Sequence, residues 1–344
     1  MTIYGGRFRL QGQMHSRDRR CNMARAVGLL SGGLDSVLAA RILMDQGIQL
    51  IGICFISPFF GSERAERAAA QLGIPLLVKD ITEEMVEIVR RPLHGRGSAL
   101  NPCIDCHALM IRKAGELMES ERMDFVFTGE VLNERPMSQT RESLSLVAKL
   151  SSYGDYLLRP LSARLLPETR MESAGLVHRN RLLDLHGRSR RRQLELARSY
   201  GLTEFAPPGG GCVLTEKGYA PRLKDLLEQG NFDRRDLRLL RLGRHFRLGS
   251  AKLIVGRNRE ENEEIRKWAR EGDILLYARS VPGPLALLYG KVSTEQLVQA
   301  AAICASFADL PSEGGLSEIM VQGGEGGRIQ PPRLTPEQIQ QFRL

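Results

Sequence analysis

Short apolar runs alternate with amphipathic segments from Ala26 to about Thr215. Short apolar runs bounded by turn residues predict buried strands, and apolar positions at helical spacing predict helices. Strands are predicted at 26–30, 49–56, 75–78 and 124–128. Helices are predicted at 36–46, at 62–72, after the cysteine pair Cys103 and Cys106, and from about Gln139. This order predicts an α/β fold with a doubly wound, mostly parallel sheet, in which ligands bind beyond the carboxyl ends of the strands.

The pattern changes after Pro207, Pro208 and three glycines that lead to Cys212. Strands predicted at 252–255, 274–278 and 285–288, with helices at 262–270 and 293–305, indicate a second, small α/β domain. We therefore expect a basic, disordered extension at 1–22, the first domain at 23–218, the small domain at 219–310 and a flexible tail at 311–344. Translation starts at Met1 or at Met23.

Composition narrows the class of protein. The 344 residues are 42% hydrophobic and carry a net charge of +9, which excludes wholesale disorder and favours a polyanionic partner. No apolar run reaches the roughly 18 residues of a membrane span, and no secretory signal is visible. Six cysteines, two of them in a CxxC, fit thiol or metal chemistry in a reducing cytoplasm. We expect a cytoplasmic protein with no membrane contact.

A glycine-rich segment joins the first predicted strand to the first predicted helix. Two glycines let the backbone approach an anion, and the helix N-terminus supplies free N–H groups. Asp35 can hold Mg²⁺ beside the phosphates. An ordinary capped turn is the alternative, but the hexapeptide SGGLDS resembles the pyrophosphate loop of the N-type ATP pyrophosphatases, or PP-loop enzymes. The candidate nucleotide-binding residues are Ser31, Gly32, Gly33, Leu34, Asp35 and Ser36.

Cys103 and Cys106 open a predicted helix, whose dipole lowers the pKa of a thiol. Three other interpretations of this motif are open. CxxCH is the haem-attachment signature of c-type cytochromes, but haem attachment requires export. A zinc site would need a second pair of ligands, and a CxxC can also be a purely structural packing motif. Cys212 can join the pair at the strand ends, and three thiolates suit either a persulfide relay or a [4Fe–4S] cluster with one open iron. Asp105 lies between the two cysteines as a helix cap or an acid–base group. Cys54 and Cys304 are expected in the core.

From Ala26 to Gly211 the chain resembles the tRNA sulfurtransferases that make 4-thiouridine. SGGLDS matches their pyrophosphate loop, and the LRPL motif at 158–161 resembles theirs. Their TGE…SQT segment is matched around Gly129, Gln139 and Thr140, which the resemblance implies are nucleotide-binding. The cysteines resemble those of short thiouridylases that use an iron–sulfur cluster. Residues 244–288 resemble the RNA-binding domain of NFACT-type proteins.

The resemblance implies a tRNA uridine sulfurtransferase that uses ATP and Mg²⁺. It adenylates a uracil carbonyl oxygen, and a sulfur nucleophile then replaces that oxygen, giving 4-thiouridine or 2-thiouridine. Cys103, Cys106, Cys212 and Asp35 are the expected catalytic residues, with the three cysteines as possible cluster ligands. No THUMP domain is apparent, which leaves the modified position open. No rhodanese domain is apparent either, which favours inorganic sulfide or cluster-bound sulfur. The expected partners are tRNA and a sulfur donor, either sulfide or a cysteine desulfurase.

Two alternatives stay open: an ammonia-using PP-loop synthetase that forms amides, and a non-catalytic RNA-binding protein. Two basic segments favour an RNA partner, which fits both a sulfurtransferase and a non-catalytic RNA-binding protein. Residues 159–192 hold nine arginines against three acids, and residues 234–259 hold nine basic residues against one acid. Such clusters neutralise phosphates. Arg159 lies in the LRPL motif and is expected nearer the nucleotide.

Overall fold

The computed structural model describes residues 23–206, 212–216, 218–230, 232–309, 318–324 and 326–344. The predicted extension at 1–22 and the proline–glycine stretch at 207–211 lie outside the described residues.

The first domain contains a five-stranded, wholly parallel sheet in the order β3-β2-β1-β4-β5. The order reverses between β1 and β4, so the loops after these two strands open next to each other at a topological switch point. The strands are β1 (Arg25–Leu29), β2 (Gln49–Ile56), β3 (Leu76–Asp80), β4 (Phe125–Phe127) and β5 (Leu157–Leu158).

Helices cover both faces of this sheet and bury two separate apolar clusters, as the doubly wound prediction requires. One cluster contains α1 and α2, and the other contains α4, α8 and α9. The helices are α1 (Leu34–Met44), α2 (Glu63–Leu72), α3 (Thr82–Arg90), α4 (Cys103–Ser120), α5 (Arg141–Ser151), α6 (Arg170–Ser173), α7 (Arg191–Ser199), α8 (Ala220–Gln229) and α9 (Arg234–Leu239), with short 3₁₀ turns at Gly154–Tyr156, Ala163–Leu165, Arg179–Arg181 and Val213–Thr215.

The second domain is a six-stranded antiparallel sheet in the order β11-β10-β8-β9-β7-β6. Helix α11 covers one face and α10 the other, each over its own apolar cluster. The strands are β6 (Arg244–Leu248), β7 (Ala251–Val255), β8 (Ile274–Ala278), β9 (Leu285–Gly290), β10 (Ile319–Gln322) and β11 (Gly327–Ile329), and the helices are α10 (Arg259–Trp268), α11 (Thr294–Ala305) and α12 (Pro336–Gln340).

The tail differs from its prediction over its described part. Strand β10 pairs with β8, and Ile319 is fully buried in the sheet's core. The flexible-tail prediction is therefore wrong for 318–324 and 326–344, because β10 is a short strand whose burial depends on β8, a partner distant in sequence. Residues 310–317 lie outside the described residues.

The segment after Cys212 packs with the first domain. Tyr219, Leu223 and Leu240 are buried in the same cluster as α4. Buried ion pairs then join the two domains: Asp225 of α8 accepts hydrogen bonds from Lys252 (2.8 Å) and Arg247 (2.6 Å) of the second sheet. The sequence predicted a boundary at 218/219; we propose to move it past Leu240.

Candidate functional site

The glycine-rich loop lies at the switch point, between the end of β1 and the start of α1. Gly32 has φ of +73°, and a Cβ there would lie 2.3 Å from the backbone carbon of Arg64. Only glycine fits this combination of left-handed backbone and close approach. Gly32 also accepts a hydrogen bond from Ala206 N (2.9 Å), which fixes the loop to the segment before Cys212.

The hydroxyl groups of the loop hold its shape. Ser36 Oγ donates to the Gly33 carbonyl (2.9 Å), and Gly33 N donates to Ser31 Oγ (3.3 Å). Leu34 is fully buried in the core, so its backbone is the part available to a ligand. The loop therefore presents backbone N–H groups at a helix N-terminus, an arrangement that binds phosphate.

Gly129 follows β4 and touches this loop. A Cβ at Gly129 would lie 2.5 Å from the backbone nitrogen of Ser36 and 2.6 Å from the carbonyl carbon of Asp35. Gln139 is buried, and its Oε1 has no hydrogen-bond partner within the described residues. Thr140 is the N-cap of α5, and its hydroxyl oxygen accepts a hydrogen bond from Ser143 N (3.1 Å), so this oxygen is already used to cap the helix.

Asp35 forms a carboxyl pair with Glu134, a residue that sequence analysis missed. Burial raises the pKa of Asp35, although the charges of Arg190 and Arg135 act against that shift. Burial and the neighbouring Asp35 raise the pKa of Glu134 to about 7. Asp35 Oδ1 is buried without a partner in the described part of the chain. One or two carboxylates beside substrate phosphates suit Mg²⁺, so the donor set fits the predicted ion.

Cys103 lies at the first turn of α4, where its Sγ accepts a hydrogen bond from Asn101 Nδ2 (2.8 Å). Burial raises the pKa of the Cys103 thiol, and it raises that of Cys106 well above its ordinary value. The predicted lowering of these pKa values is wrong, because desolvation of the thiolate outweighs the stabilising Asn101 bond and the charge of Arg135.

Cys212 lies beside the CxxC helix. Val213 N donates to the Phe59 carbonyl (3.1 Å) after β2, which fixes the cysteine at the carboxyl edge of the sheet. Burial raises the pKa of Cys212 to about 12, and the Cys103 thiol adds to this shift. Cys106 and Cys212 pack against the same apolar cluster.

The three thiols converge at the carboxyl edge of the sheet. Over the described ranges, no group of three or more His, Cys, Asp or Glu side chains is placed to hold a metal ion. Cys54 and Cys304 are buried core residues, as predicted.

Asp105 does not cap α4. The N-cap is Pro102, without a side-chain cap bond, and the Asp105 carboxylate instead accepts from the backbone N (3.1 Å) and contacts Nδ1 (2.5 Å) of His94. The cap prediction is wrong because the loop before the helix returns to bind the carboxylate.

A buried hydrogen-bond network connects the residue after Gly129 to α4 and to the LRPL motif. Glu130 binds His107 Nδ1 through Oε1 (2.8 Å) and Arg159 Nε through Oε2 (2.8 Å). Burial opposes ionisation, but Arg159 and His107 outweigh it and lower the pKa of Glu130 to about 2. Arg159 is thus a structural partner of the TGE motif.

Two family models match the chain. Residues 22–164 match the model described as thiamine biosynthesis protein (ThiI), and residues 243–343 match the one described as NFACT protein RNA binding domain. The two matches confirm both resemblances inferred from the motifs.

Individual relatives match over shorter stretches. A probable tRNA sulfurtransferase of Oceanobacillus iheyensis is 30% identical over 142 residues, covering 39% of this chain and 34% of that protein. The tRNA-specific 2-thiouridylase MnmA of Geobacter metallireducens is 33% identical over 119 residues, covering 27% and 32%. The chain spans about a third of the length of the curated relatives it matches.

A crystal structure of a 4-thiouridine synthetase–RNA complex with bound ATP is 22% identical in sequence, and the match covers 63% of this chain and 52% of that one, with a TM-score of 0.37.

Among the described residues, no helix is long and apolar enough to cross a membrane.

Proposed function

We propose that this chain is an ATP-dependent tRNA sulfurtransferase that converts a uridine carbonyl to a thiocarbonyl. The observation that carries the proposal is that the segment after β4 reaches both groups. Gly129 abuts the backbone of Asp35 and Ser36. Asn101, which donates to Cys103 Sγ (2.8 Å), also contacts Met137 Sδ (3.6 Å). A phosphate-binding loop and a sulfur-carrying side chain thus share one edge of the sheet. Adenylation and sulfur attack need that proximity, because both act on the same carbon–oxygen bond.

In the first step, the uracil carbonyl oxygen attacks the α-phosphorus of ATP, and pyrophosphate leaves. The backbone N–H groups of the glycine-rich loop hold the phosphates. Asp35, with Glu134 beside it, would hold Mg²⁺, which offsets the phosphate charge when bound. Gly129 keeps the loop and the end of β4 close enough for the nucleotide to lie between them.

In the second step, a sulfur nucleophile attacks the activated carbon, and AMP leaves with the former carbonyl oxygen. We propose a persulfide on one of Cys103, Cys106 and Cys212, whose outer sulfur is transferred from the persulfide of a cysteine desulfurase; inorganic sulfide would instead attack the activated carbon directly. The outer sulfur bonds to the carbon, a second thiol breaks the S–S bond, and the resulting protein disulfide requires an external dithiol for reduction. A [4Fe–4S] cluster is the alternative carrier; the same three cysteines would hold it, and it would supply an open iron for the sulfur.

The substrate is proposed to be tRNA, held in part by the carboxy-terminal domain, and the cytoplasm is its expected place of action. Purified protein, tRNA, ATP, Mg²⁺, a cysteine desulfurase with cysteine, and a dithiol reductant should yield a thionucleoside, with AMP and pyrophosphate formed in equal amounts. Cys103→Ala, Cys106→Ala and Cys212→Ala should abolish the product, whereas the buried Cys304→Ala should retain it.

Iron analysis after anaerobic purification separates the two carriers. Full activity without iron supports the relay, and activity that tracks iron content supports the cluster. Wild-type protein that forms no thionucleoside with either preparation contradicts the proposed function.

A further inference from the structure

A cavity of about 660 Å³ lies between the end of α3, the loop that leads to α4, and the last two turns of α8. Its volume is within the range of about 300–1,000 Å³ that small-molecule sites occupy. The residues that line it belong neither to the glycine-rich loop and the cysteines nor to the basic segments at 159–192 and 234–259. The cavity is therefore a feature that the site described above does not use.

Basic side chains outnumber acidic ones around this cavity. Its charged lining residues are Arg90, Arg91, Arg96, Lys224, Glu87 and Glu228. Arg91 is exposed, and its side chain forms no hydrogen bond or ion pair within the described ranges. The Lys224 side chain is 70% exposed and has one ion pair in the described part of the chain, a 3.8 Å contact with Glu228. Both cations thus remain available to an anionic ligand.

Two further arginines are held in place by backbone carbonyls. Arg90 donates to the Phe232 carbonyl, and its guanidinium lies 4.3 Å from the centre of the Phe232 ring. Arg96 donates through Nη2 to the carbonyls of Val89 (2.8 Å) and Arg90 (3.0 Å) in the last turn of α3. Capping of the helix explains these bonds, but it does not explain Arg90 Nε, which is shielded from solvent without a partner among the described residues. A shielded donor of this kind requires an acceptor.

The other side chains around the cavity are apolar and belong to Leu100, Leu227 and Phe232. Basic and apolar groups side by side match the two parts of a nucleotide. Its phosphate binds cations, and its base packs on aromatic rings, guanidinium planes and apolar surfaces. The cavity is large enough for one such unit, and proteins that read RNA bind unpaired nucleotides in this way.

The wall of the cavity is continuous with the cysteine pair. Gly97 N donates to the Asn101 carbonyl (2.9 Å), and Leu100 N donates to the Gly97 carbonyl (2.9 Å), so this part of the loop is a closed turn. Asn101 Nδ2 in turn donates to Cys103 Sγ (2.8 Å). A ligand that contacts Leu100 therefore lies next to the turn that positions Cys103.

We propose that this cavity binds an unpaired nucleotide of the RNA substrate. Arg91, Arg96 and Lys224 bind its phosphate, and its base packs against Leu100 and Leu227. The first domain thereby holds the RNA strand beside the cysteines, in addition to the contacts of the carboxy-terminal domain. This inference rests on the proposed function, because it takes the bound RNA to be the tRNA that is thiolated.

The test compares two double variants of the full chain. Arg91→Gln with Lys224→Gln removes two cations from the cavity. Arg67→Gln with Arg198→Gln removes the same charge from exposed positions on α2 and α7, whose helices pack on the opposite face of the sheet. Filter retention measures tRNA affinity at several salt concentrations, calorimetry measures ATP–Mg²⁺ binding, and thermal unfolding checks each variant.

The cavity variant should bind tRNA about 10- to 50-fold more weakly at 0.1 M salt, and its slope of log K against log salt should fall by about 1.4, the value for two lost phosphate contacts on a single strand. Its ATP–Mg²⁺ affinity and Tm should stay unchanged, and the control variant should match wild type throughout. Leu227→Ala should weaken tRNA binding about fivefold without changing the salt slope, because it removes apolar contact and no charge.

The outcomes separate the inference from its premise. Wild-type tRNA affinity in the cavity variant, or an equal loss in both double variants, overturns the inference while the proposed function stands. Wild-type tRNA affinity combined with thiolation that proceeds with sulfide but not with a cysteine desulfurase assigns the cavity to a protein partner and also overturns it. Wild-type protein that binds tRNA but forms no thionucleoside overturns the proposed function, whereas the affinities and salt slopes still decide whether RNA occupies the cavity.

Discussion

Replacing Gly129 with alanine is the smallest change that should disable the nucleotide site. The added Cβ would lie 2.5 Å from Ser36 N, 2.6 Å from the Asp35 carbonyl carbon and 2.7 Å from Ser36 Cα. All three are backbone atoms in the first turn of α1, so no side-chain rotation can relieve the contact. The loop and the end of β4 must separate by about an ångström to reach ordinary van der Waals distance.

That displacement sets the expected magnitudes. Moving a reacting group by about 1 Å costs about 100-fold in rate, so kcat/KM for ATP should fall by about that factor. Overpacking a tight contact costs about 1–3 kcal/mol of the free energy of unfolding, so Tm should fall by several degrees. The loss of activity should therefore exceed what partial unfolding at assay temperature explains.

Pyrophosphate release at varied ATP, with thermal unfolding of the same samples, measures both effects. Gly218→Ala is the control, because nothing lies within 4 Å of the added Cβ and its φ is not left-handed. This control should match wild type in both assays. Wild-type kcat and KM in Gly129→Ala would refute the placement of ATP between the glycine-rich loop and β4.

Three further changes test the supporting structure. Glu130→Gln should lower the free energy of unfolding at pH 7 by about 3 kcal/mol, because it leaves buried Arg159 unpaired. The carboxylate's contribution is complete above its ordinary pKa and is lost as pH falls to the folded value of about 2. Urea denaturation of wild type and variant should therefore converge below about pH 4.5; a constant gap would contradict the assignment. Asp225→Asn should lower stability by about 3–5 kcal/mol, because it leaves the buried Lys252 ammonium without its carboxylate; an unchanged Tm would argue against that ion pair. Ile319→Ala should cost about 2–5 kcal/mol by emptying a core position, whereas a tail that does not pack would tolerate it.

Apolar runs were a reliable guide where the strand is a nearly continuous run of apolar residues. The predicted strand at 49–56 coincides with β2, and the prediction at 274–278 coincides with β8. Both consist mainly of continuous apolar residues, which have few alternatives to a buried strand. The two-residue β5 and the tail strand β10 carry no such signal, because their burial comes from a partner distant in sequence.

The candidate site also contains features that the sequence predicts and features that it does not. The loop at 31–36 and Gly129 can be recognised in the sequence, because close approach of two backbone segments requires glycine and so produces a glycine motif. The pairs Glu130–Arg159 and His94–Asp105 cannot be recognised in the sequence, since each joins residues that only the tertiary fold brings together. The thiol pKa values were mispredicted for the same reason: a helix N-terminus is visible in sequence, but the burial that outweighs it at Cys103 is not.

The central claim is that the glycine-rich loop and the cysteines together replace a uridine oxygen with sulfur. Mass spectrometry of the nucleosides in tRNA tests it most directly, comparing a strain that lacks this gene with the same strain carrying wild type, Cys103→Ala or Cys304→Ala. The account predicts that one thionucleoside disappears, returns with wild type and Cys304→Ala, and stays absent with Cys103→Ala. An unchanged thionucleoside profile in the deletion strain, in a host without a second tRNA thiolase, would contradict it.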